Sequence, residues 1–167
     1  MNQKKPTKYY SSLQESRIAD HLGWSVVSAS GARPFNPGDV QSTTWLCECK
    51  THTEIRDKIT ISKSVWKKLS NEADSKMRKP VLFIDNGSQR IPDTYAIIRK
   101  PKYEDLPDTE LNCQLRESAK SFSFSHAKNQ AIMKCGGYGS LYIEGEALML
   151  MTLAYFKEFI DRRSEDV

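Results

Sequence analysis

The feature that most constrains the fold is an uninterrupted apolar run, Val-Leu-Phe-Ile, at residues 81–84. A strand without polar alternation is typical of a sheet that is covered on both faces. Apolar stripes indicate two helices before it, one over Ser12–Leu22 and one that begins at Ser62 or Ser64 and ends near Ala73. The sequence therefore predicts an α/β protein with helices flanking a central sheet.

A second strand, predicted at Thr44–Lys50, separates two kinds of side chain. Two-residue periodicity puts Glu48 and Lys50 on one face and turns the cysteines at 47 and 49 to the other. The turn before it places Asp39 at the start of a short strand, 39–41, which we expect to pair with it as an antiparallel hairpin. Carboxylate oxygens hold hard divalent ions, and an ammonium group beside them can orient an attacking water. The pattern favours a metal-dependent hydrolase, although an isolated Glu-X-Lys is more often a solvated pair on a half-buried strand.

Glu15 has two interpretations that the sequence leaves open. Ser12 and Glu15 have the spacing of a capping box, which would begin the first helix at Ser12 and tie Glu15 to its first turn. Alternatively, Glu15 leans over the strands and adds a carboxylate to a metal site. His52, two residues past Lys50, could assist there, but a solvent-facing histidine is commoner.

Composition limits the class of protein. The chain has 167 residues, 38% hydrophobic and 28% charged, which suits one folded domain. No stretch approaches the ~18 consecutive apolar residues of a membrane helix, and the polar start does not resemble a signal peptide. We therefore expect a cytoplasmic protein, in the host cytoplasm if viral, with no membrane partner. Its four cysteines are then expected to be reduced thiols.

The charge is unevenly spread along the chain. Residues 1–70 hold 11 Lys and Arg against six Asp and Glu, a net charge of +5, whereas the remainder carries −1. A basic half that also carries the carboxylates suggests a polyanionic partner. The residues expected to bind backbone phosphates without reading sequence are Arg33, Lys58, Lys67 and Lys68.

The predicted organisation has three parts: a basic arm at 1–11, a core at 12–100 and a C-terminal α+β extension at 101–167 that packs on the core. The extension contains an alternating strand, Ser121–Ser125, a hairpin about Gly145 and a closing helix, Leu153–Arg163. A further core strand is predicted at Tyr95–Ile98.

In order, the chain reads helix with Glu15, strand, Ser30-Gly31 loop, Pro37-Gly38-Asp39-Val40 turn, hairpin with Glu48-Cys49-Lys50, helix, strand. This order resembles the PD-(D/E)XK, or restriction-endonuclease-like, nuclease superfamily. Within it the motifs are most similar to the archaeal-type Holliday junction resolvases. The likeness covers about Ser12–Ile84 and implies a mixed sheet flanked by helices, homodimers, and cleavage of four-way DNA junctions in recombination and repair.

The resemblance also implies roles for individual residues. Asp39 and Glu48 would bind Mg²⁺, with Mn²⁺ as an alternative ion, and Lys50 would be the partner of the nucleophilic water. The remaining assignments are Glu15 as the helix carboxylate that completes the metal site, the backbone carbonyl of Cys49 as a further ligand, and Ser30 as the serine close to the scissile phosphate.

Two other functions remain open. One keeps the catalytic core but makes the protein a sequence-specific or defence nuclease, with the C-terminal segment reading bases. The other is a catalytically silent module for DNA binding or assembly. The chain also departs from the resolvase pattern, because Tyr10-Ser11-Ser12 stands where resolvases often carry a glycine before the first helix.

Overall fold

The computed structural model describes residues 5–26, 40–101, 110–133 and 136–164. These residues form helices and strands that we number in chain order: α1 (Thr7–Leu22), β1 (Ser25–Val26), β2 (Val40–Gln41), β3 (Trp45–Lys50), β4 (Lys58–Ser62), α2 (Lys63–Ser75), β5 (Lys79–Asp85), a 3₁₀ turn (Ile91–Asp93), β6 (Thr94–Arg99), β7 (Arg116–Glu117), β8 (Ser121–Ser125), α3 (His126–Met133), β9 (Gly139–Ile143), β10 (Glu146–Thr152) and α4 (Leu153–Ser164).

Seven of the strands form one mixed sheet in the order β1-β2-β3-β5-β6-β10-β9. β3 and β5 run parallel, with Lys50 beside Ile84, and the other neighbours in this sheet are antiparallel. The predicted hairpin of β2 and β3 is confirmed, with Val40 opposite Cys47. The strands β4, β8 and β7 form a second, smaller antiparallel sheet. The chain is therefore an α/β protein with a mixed central sheet flanked by helices, as predicted.

Both faces of the central sheet are covered. On one face Leu46, Leu82 and Ile84 pack with Trp66 of α2 and with apolar residues of the small sheet. On the other, Cys47, Cys49, Val81 and Phe83 pack against α1 and α4. The run at 81–84 is buried throughout, which confirms the prediction of a doubly covered strand.

The start of α1 differs from the prediction. The helix begins at Thr7 behind Pro6, and Ser12 lies inside it, where its hydroxyl donates to the Lys8 carbonyl at 2.9 Å. A proline has no N–H to satisfy and a fixed φ, so it suits the position before a first turn. The capping box at Ser12 is therefore wrong. Glu15 does not lie in the first turn, and residues 7–11 of the predicted arm belong to the helix.

The C-terminal part completes the central sheet. β10 pairs with β6 over five residues, Leu148 to Thr152, and β9 pairs with β10. The turn between them contains Gly145 at φ 81°, a conformation that glycine adopts readily. The predicted hairpin and closing helix are confirmed, and Phe156 of α4 is fully buried. None of the described helices is long and apolar enough to span a membrane.

Candidate functional site at the carboxyl end of β3

Glu48 and Lys50 lie side by side at the carboxyl end of β3. They share the face that α2 covers, because Leu46, two residues before Glu48, packs there. The Lys50 ammonium lies 2.8 Å from a Glu48 carboxylate oxygen, and the two side chains are 47% and 27% exposed. An ion pair this exposed contributes only about 0–1 kcal/mol to stability. The pair is therefore an accessible carboxylate and ammonium rather than a structural bond.

The first half of α1 is hydrogen-bonded to the same end of the sheet. The buried amide of Gln14 donates from Nε2 to the Lys50 carbonyl at 2.6 Å and to Asp85 Oδ2 at 3.1 Å. Arg17 donates to the Gln89 carbonyl at 3.1 Å, and the Gln89 amide donates to the Tyr10 carbonyl at 2.6 Å. These bonds hold α1 against the ends of β3 and β5.

Asp85 ends β5 and joins three chain segments. It is fully buried, and its Oδ1 accepts hydrogen bonds from the Thr51 hydroxyl at 2.6 Å and the Gly87 amide at 2.7 Å. Burial raises the pKa of the Asp85 carboxyl, and the hydrogen bonds from Thr51, Gly87 and Gln14 oppose that rise. Through these hydrogen bonds Asp85 links α1, the segment after β3 and the turn after β5.

Two polar atoms beside Asp85 have hydrogen-bonding capacity to spare. Gln14 Oε1 and His52 Nε2 are both buried and have no hydrogen-bond partner among the residues that the structure describes. The orientation of the Gln14 amide is determined by its two acceptors, because the reversed amide would set oxygen against oxygen. Unpaired buried polar atoms are few in native proteins and call for an explanation.

The structure accounts for the predicted catalytic residues only in part. It brings Glu48 and Lys50 together, and Cys49 between them is buried in the opposite face. Glu15 follows Gln14 on α1 and is half-buried. Ser30, Arg33 and Asp39 lie outside the described residues. Within the described ranges no three His, Cys, Asp or Glu side chains cluster as metal ligands do.

Of the predicted phosphate contacts that the structure describes, the two on α2 lie away from Glu48. Lys67 and Lys68 are exposed on α2, and Lys67 pairs at 2.7 Å with Glu144 in the β9–β10 turn. Because β5, β6 and β10 alternate in direction, that turn lies at the opposite end of the sheet. Lys58 is exposed at the start of β4, after the 51–57 loop that leaves β3.

Sequence reasoning missed Gln14, Thr51 and Asp85. A usable signal was present, since Asp85 is the first charged residue after the buried run at 81–84. Parallel strands bring their carboxyl ends together, so the end of β5 had to lie beside the end of β3. The Asn86-Gly87 pair that follows is typical of a turn and gives no sign of these contacts.

Comparisons of the chain with protein-family models, with curated proteins and with solved structures gave no match.

Proposed function

We propose that the protein is a metal-dependent, structure-specific DNA endonuclease that hydrolyses phosphodiester bonds, of the Holliday junction resolvase type. The observation that carries the proposal is the Glu48–Lys50 pair at the carboxyl end of β3, where α1 also docks through Gln14. On one accessible surface, the carboxylate can bind a metal ion while the ammonium orients the attacking water.

The order of the elements supports a restriction-endonuclease-like core. A helix, an antiparallel three-strand meander of β1, β2 and β3, a second helix and a parallel β5 occur in the order that the resemblance implies, with β4 of the small sheet inserted before the second helix. In the sheet, the motif strand β3 lies between its hairpin partner β2 and the parallel strand β5. β2 pairs with β3 directly before Glu48: Gln41 lies opposite Leu46, and Val40 lies opposite Cys47.

The proposed ligands suit Mg²⁺, with Mn²⁺ as the alternative, because they are hard oxygen donors: Asp39, Glu48, Glu15 and the Cys49 carbonyl. When bound, such an ion lowers the pKa of its water and offsets the charge on the phosphate. Lys50 then holds the attacking water in line with the scissile bond, and Ser30 contacts the phosphate. Glu48 orients the Lys50 ammonium, which the 2.8 Å ion pair supports.

We propose a four-way DNA junction as substrate and a homodimer as the active form. Two matched phosphates on opposite arms need two sites related by a two-fold axis. Sedimentation of the protein alone and on a junction tests this point, and a monomer under both conditions would contradict it.

The decisive experiment is a cleavage assay with Mg²⁺ on a four-way junction, a fork, a single strand and a linear duplex. We expect the junction to be cut fastest. Lys50→Ala and Asp39→Asn should abolish cleavage while DNA binding is retained, and Lys76→Ala, an exposed lysine at the end of α2, is the control.

Full activity in either catalytic variant would refute the assignment. Faster cutting of duplex at defined sequences would favour a restriction-like or defence nuclease. DNA binding without any cleavage would favour a silent binding module.

A further inference from the structure

A second polar site lies between the small sheet and α3. It is a cavity of about 580 Å³, and the residues that give it its character are Lys58, Asn112, Arg116, Ser123, Ser125 and Lys128. We call it the β8 groove, because β8 forms its floor between β4 and β7.

The charges in the β8 groove are mostly unpaired. Lys58, Arg116 and Lys128 are exposed, and within the described residues none of them forms an ion pair within 4 Å. The carboxylate in the groove, Asp57, accepts hydrogen bonds from the Ser125 hydroxyl at 2.5 Å and the Ala127 amide at 2.8 Å. These bonds lower the pKa of Asp57, so it remains an anion whose hydrogen bonds are made within the protein. The groove is left with a positive surface.

The wall of the groove is held by a buried side chain. Asn129 of α3 is fully buried, its Oδ1 accepts from the Gln114 amide at 3.0 Å, and its Nδ2 donates to the Ser125 carbonyl at 2.9 Å. The 112–116 segment is thereby fixed against α3. The groove is a built feature of the fold rather than a gap between loops.

Thiol chemistry in the groove is excluded. Cys113 lines it, but burial raises the pKa of this thiol to about 11, so it is protonated at neutral pH. Its sulfur also packs tightly against Gly139, where an added Cβ would lie 2.8 Å away. The groove is therefore suited to binding and not to nucleophilic attack.

The cations are spaced for a polyanion. Lys58 lies opposite Ser125 and Arg116 lies opposite Ser123, on the outer face of the sheet and on either side of β8. Two inter-strand steps of about 4.8 Å separate β4 from β7 by about 10 Å. A nucleic-acid strand carries a charge every ~3.4 Å along its axis, so it offers phosphates over the whole of this span.

The groove lies at the same end of the central sheet as Glu48 and Lys50. His126, directly after β8, contacts Asp93 Oδ1 at 3.1 Å and the Tyr95 hydroxyl at 2.6 Å. Thr94, between these two, lies opposite Asp85. The loop after β3 also reaches this end of the sheet, because the Arg56 amide donates to the Asn86 carbonyl at 2.7 Å.

We infer that the β8 groove binds the phosphodiester backbone of a nucleic-acid strand and holds it beside the carboxyl end of β3. The inference rests on the proposed function for the identity of the polyanion. It adds Arg116 and Lys128 as phosphate contacts and gives the small sheet a role in substrate binding.

The test is fluorescence anisotropy of a labelled duplex and a labelled four-way junction, without divalent metal, over a series of salt concentrations. We compare wild type, Arg116→Gln/Lys128→Gln, and the charge-matched control Lys76→Gln/Lys120→Gln, whose lysines are exposed and outside the groove. We expect the groove variant to bind about tenfold more weakly, with a log K against log salt slope shallower by about two. All three proteins should have the same melting temperature.

Each outcome decides a separate point. Equal losses in the groove variant and the control would overturn the groove, because net charge alone would explain them. If the wild type binds and cleaves DNA and the groove variant does so equally well, the groove inference is overturned but the nuclease proposal is not. If binding depends on Arg116 and Lys128 but no cleavage occurs with Mg²⁺, the nuclease proposal is overturned and the groove inference is retained. A wild type that binds no DNA would overturn both.

Discussion

The two ends of the central sheet both carry polar clusters, but they are completed differently. At the amino end of β5, the Arg99 guanidinium donates to Glu146, to Ser70 at 3.0 Å and to Asp74 at 2.6 and 2.9 Å. The Trp66 indole adds a hydrogen bond to Glu146 at 3.3 Å. This cluster ties α2 to β6 and β10 and uses the three guanidinium nitrogens.

The carboxyl end has the opposite character. Asp85 accepts three hydrogen bonds, yet Gln14 Oε1 and His52 Nε2 next to it are unpaired within the described structure. The exposed Glu48–Lys50 pair lies at the same end. Stability sufficiently explains the hydrogen-bonded cluster around Arg99, whereas the unpaired atoms beside Glu48 and Lys50 lie where we propose the site.

The largest expected effect is on catalysis. If Glu48 is catalytic as proposed, Glu48→Gln should lower single-turnover cleavage of a junction by about 10²–10³-fold, since the proposed reacting centre loses one charged group. Glu117→Gln is a matched control, because Glu117 forms an exposed ion pair with Lys63 at 2.6 Å. Both variants should unfold within about 1 kcal/mol of wild type. Equal activity in the two variants would contradict a catalytic role for Glu48.

Asp85→Ala should be the most destabilising change at the carboxyl end. It leaves the Thr51, Gly87 and Gln14 donors without their acceptor, so we expect a loss of about 3 kcal/mol in the free energy of unfolding in urea. Cleavage per folded molecule should also fall, because α1 is no longer held against β3. Retention of full cleavage would show that the position of α1 does not matter to the site.

Arg99→Ala tests the amino end. The side chain is 36% exposed, so water screens its ion pairs, and we expect a loss of about 1–2 kcal/mol. Cleavage per folded molecule should be unchanged. A catalytic loss without a larger loss of stability would show that this end also serves the reaction.

The smallest expected effect is a dependence on pH. Because burial raises the Asp85 pKa in the folded state, the native protein binds a proton more tightly than the unfolded chain. The stability that this proton contributes is complete below the unfolded value near 4 and is lost as the pH rises through the folded pKa. Urea unfolding from pH 3.5 to 7 should therefore show the advantage of wild type over Asp85→Asn shrinking as pH rises. A difference in unfolding free energy that stays constant with pH would contradict the raised pKa of Asp85.

Prediction from sequence succeeded where the pattern is local. The run at 81–84 and the helix after Ser62 are encoded in consecutive residues, and alternation alone put Glu48 and Lys50 on one face. It failed at the start of α1, where the Ser12–Glu15 spacing imitates a capping box although the helix already begins at Thr7, five residues before Ser12. A local pattern predicts a helix well and its first residue poorly.

The amino-acid sequence by itself determined an α/β chain with a doubly covered strand, a β2–β3 hairpin and an acidic and a basic side chain together on β3. Only the tertiary structure decided what surrounds them. The Gln14–Asp85 bond joins residues 71 positions apart, and the pairing of β4 with β8 joins Ser62 to Ser121. No periodicity encodes such contacts, because they form only when packing of the whole core brings distant segments into register.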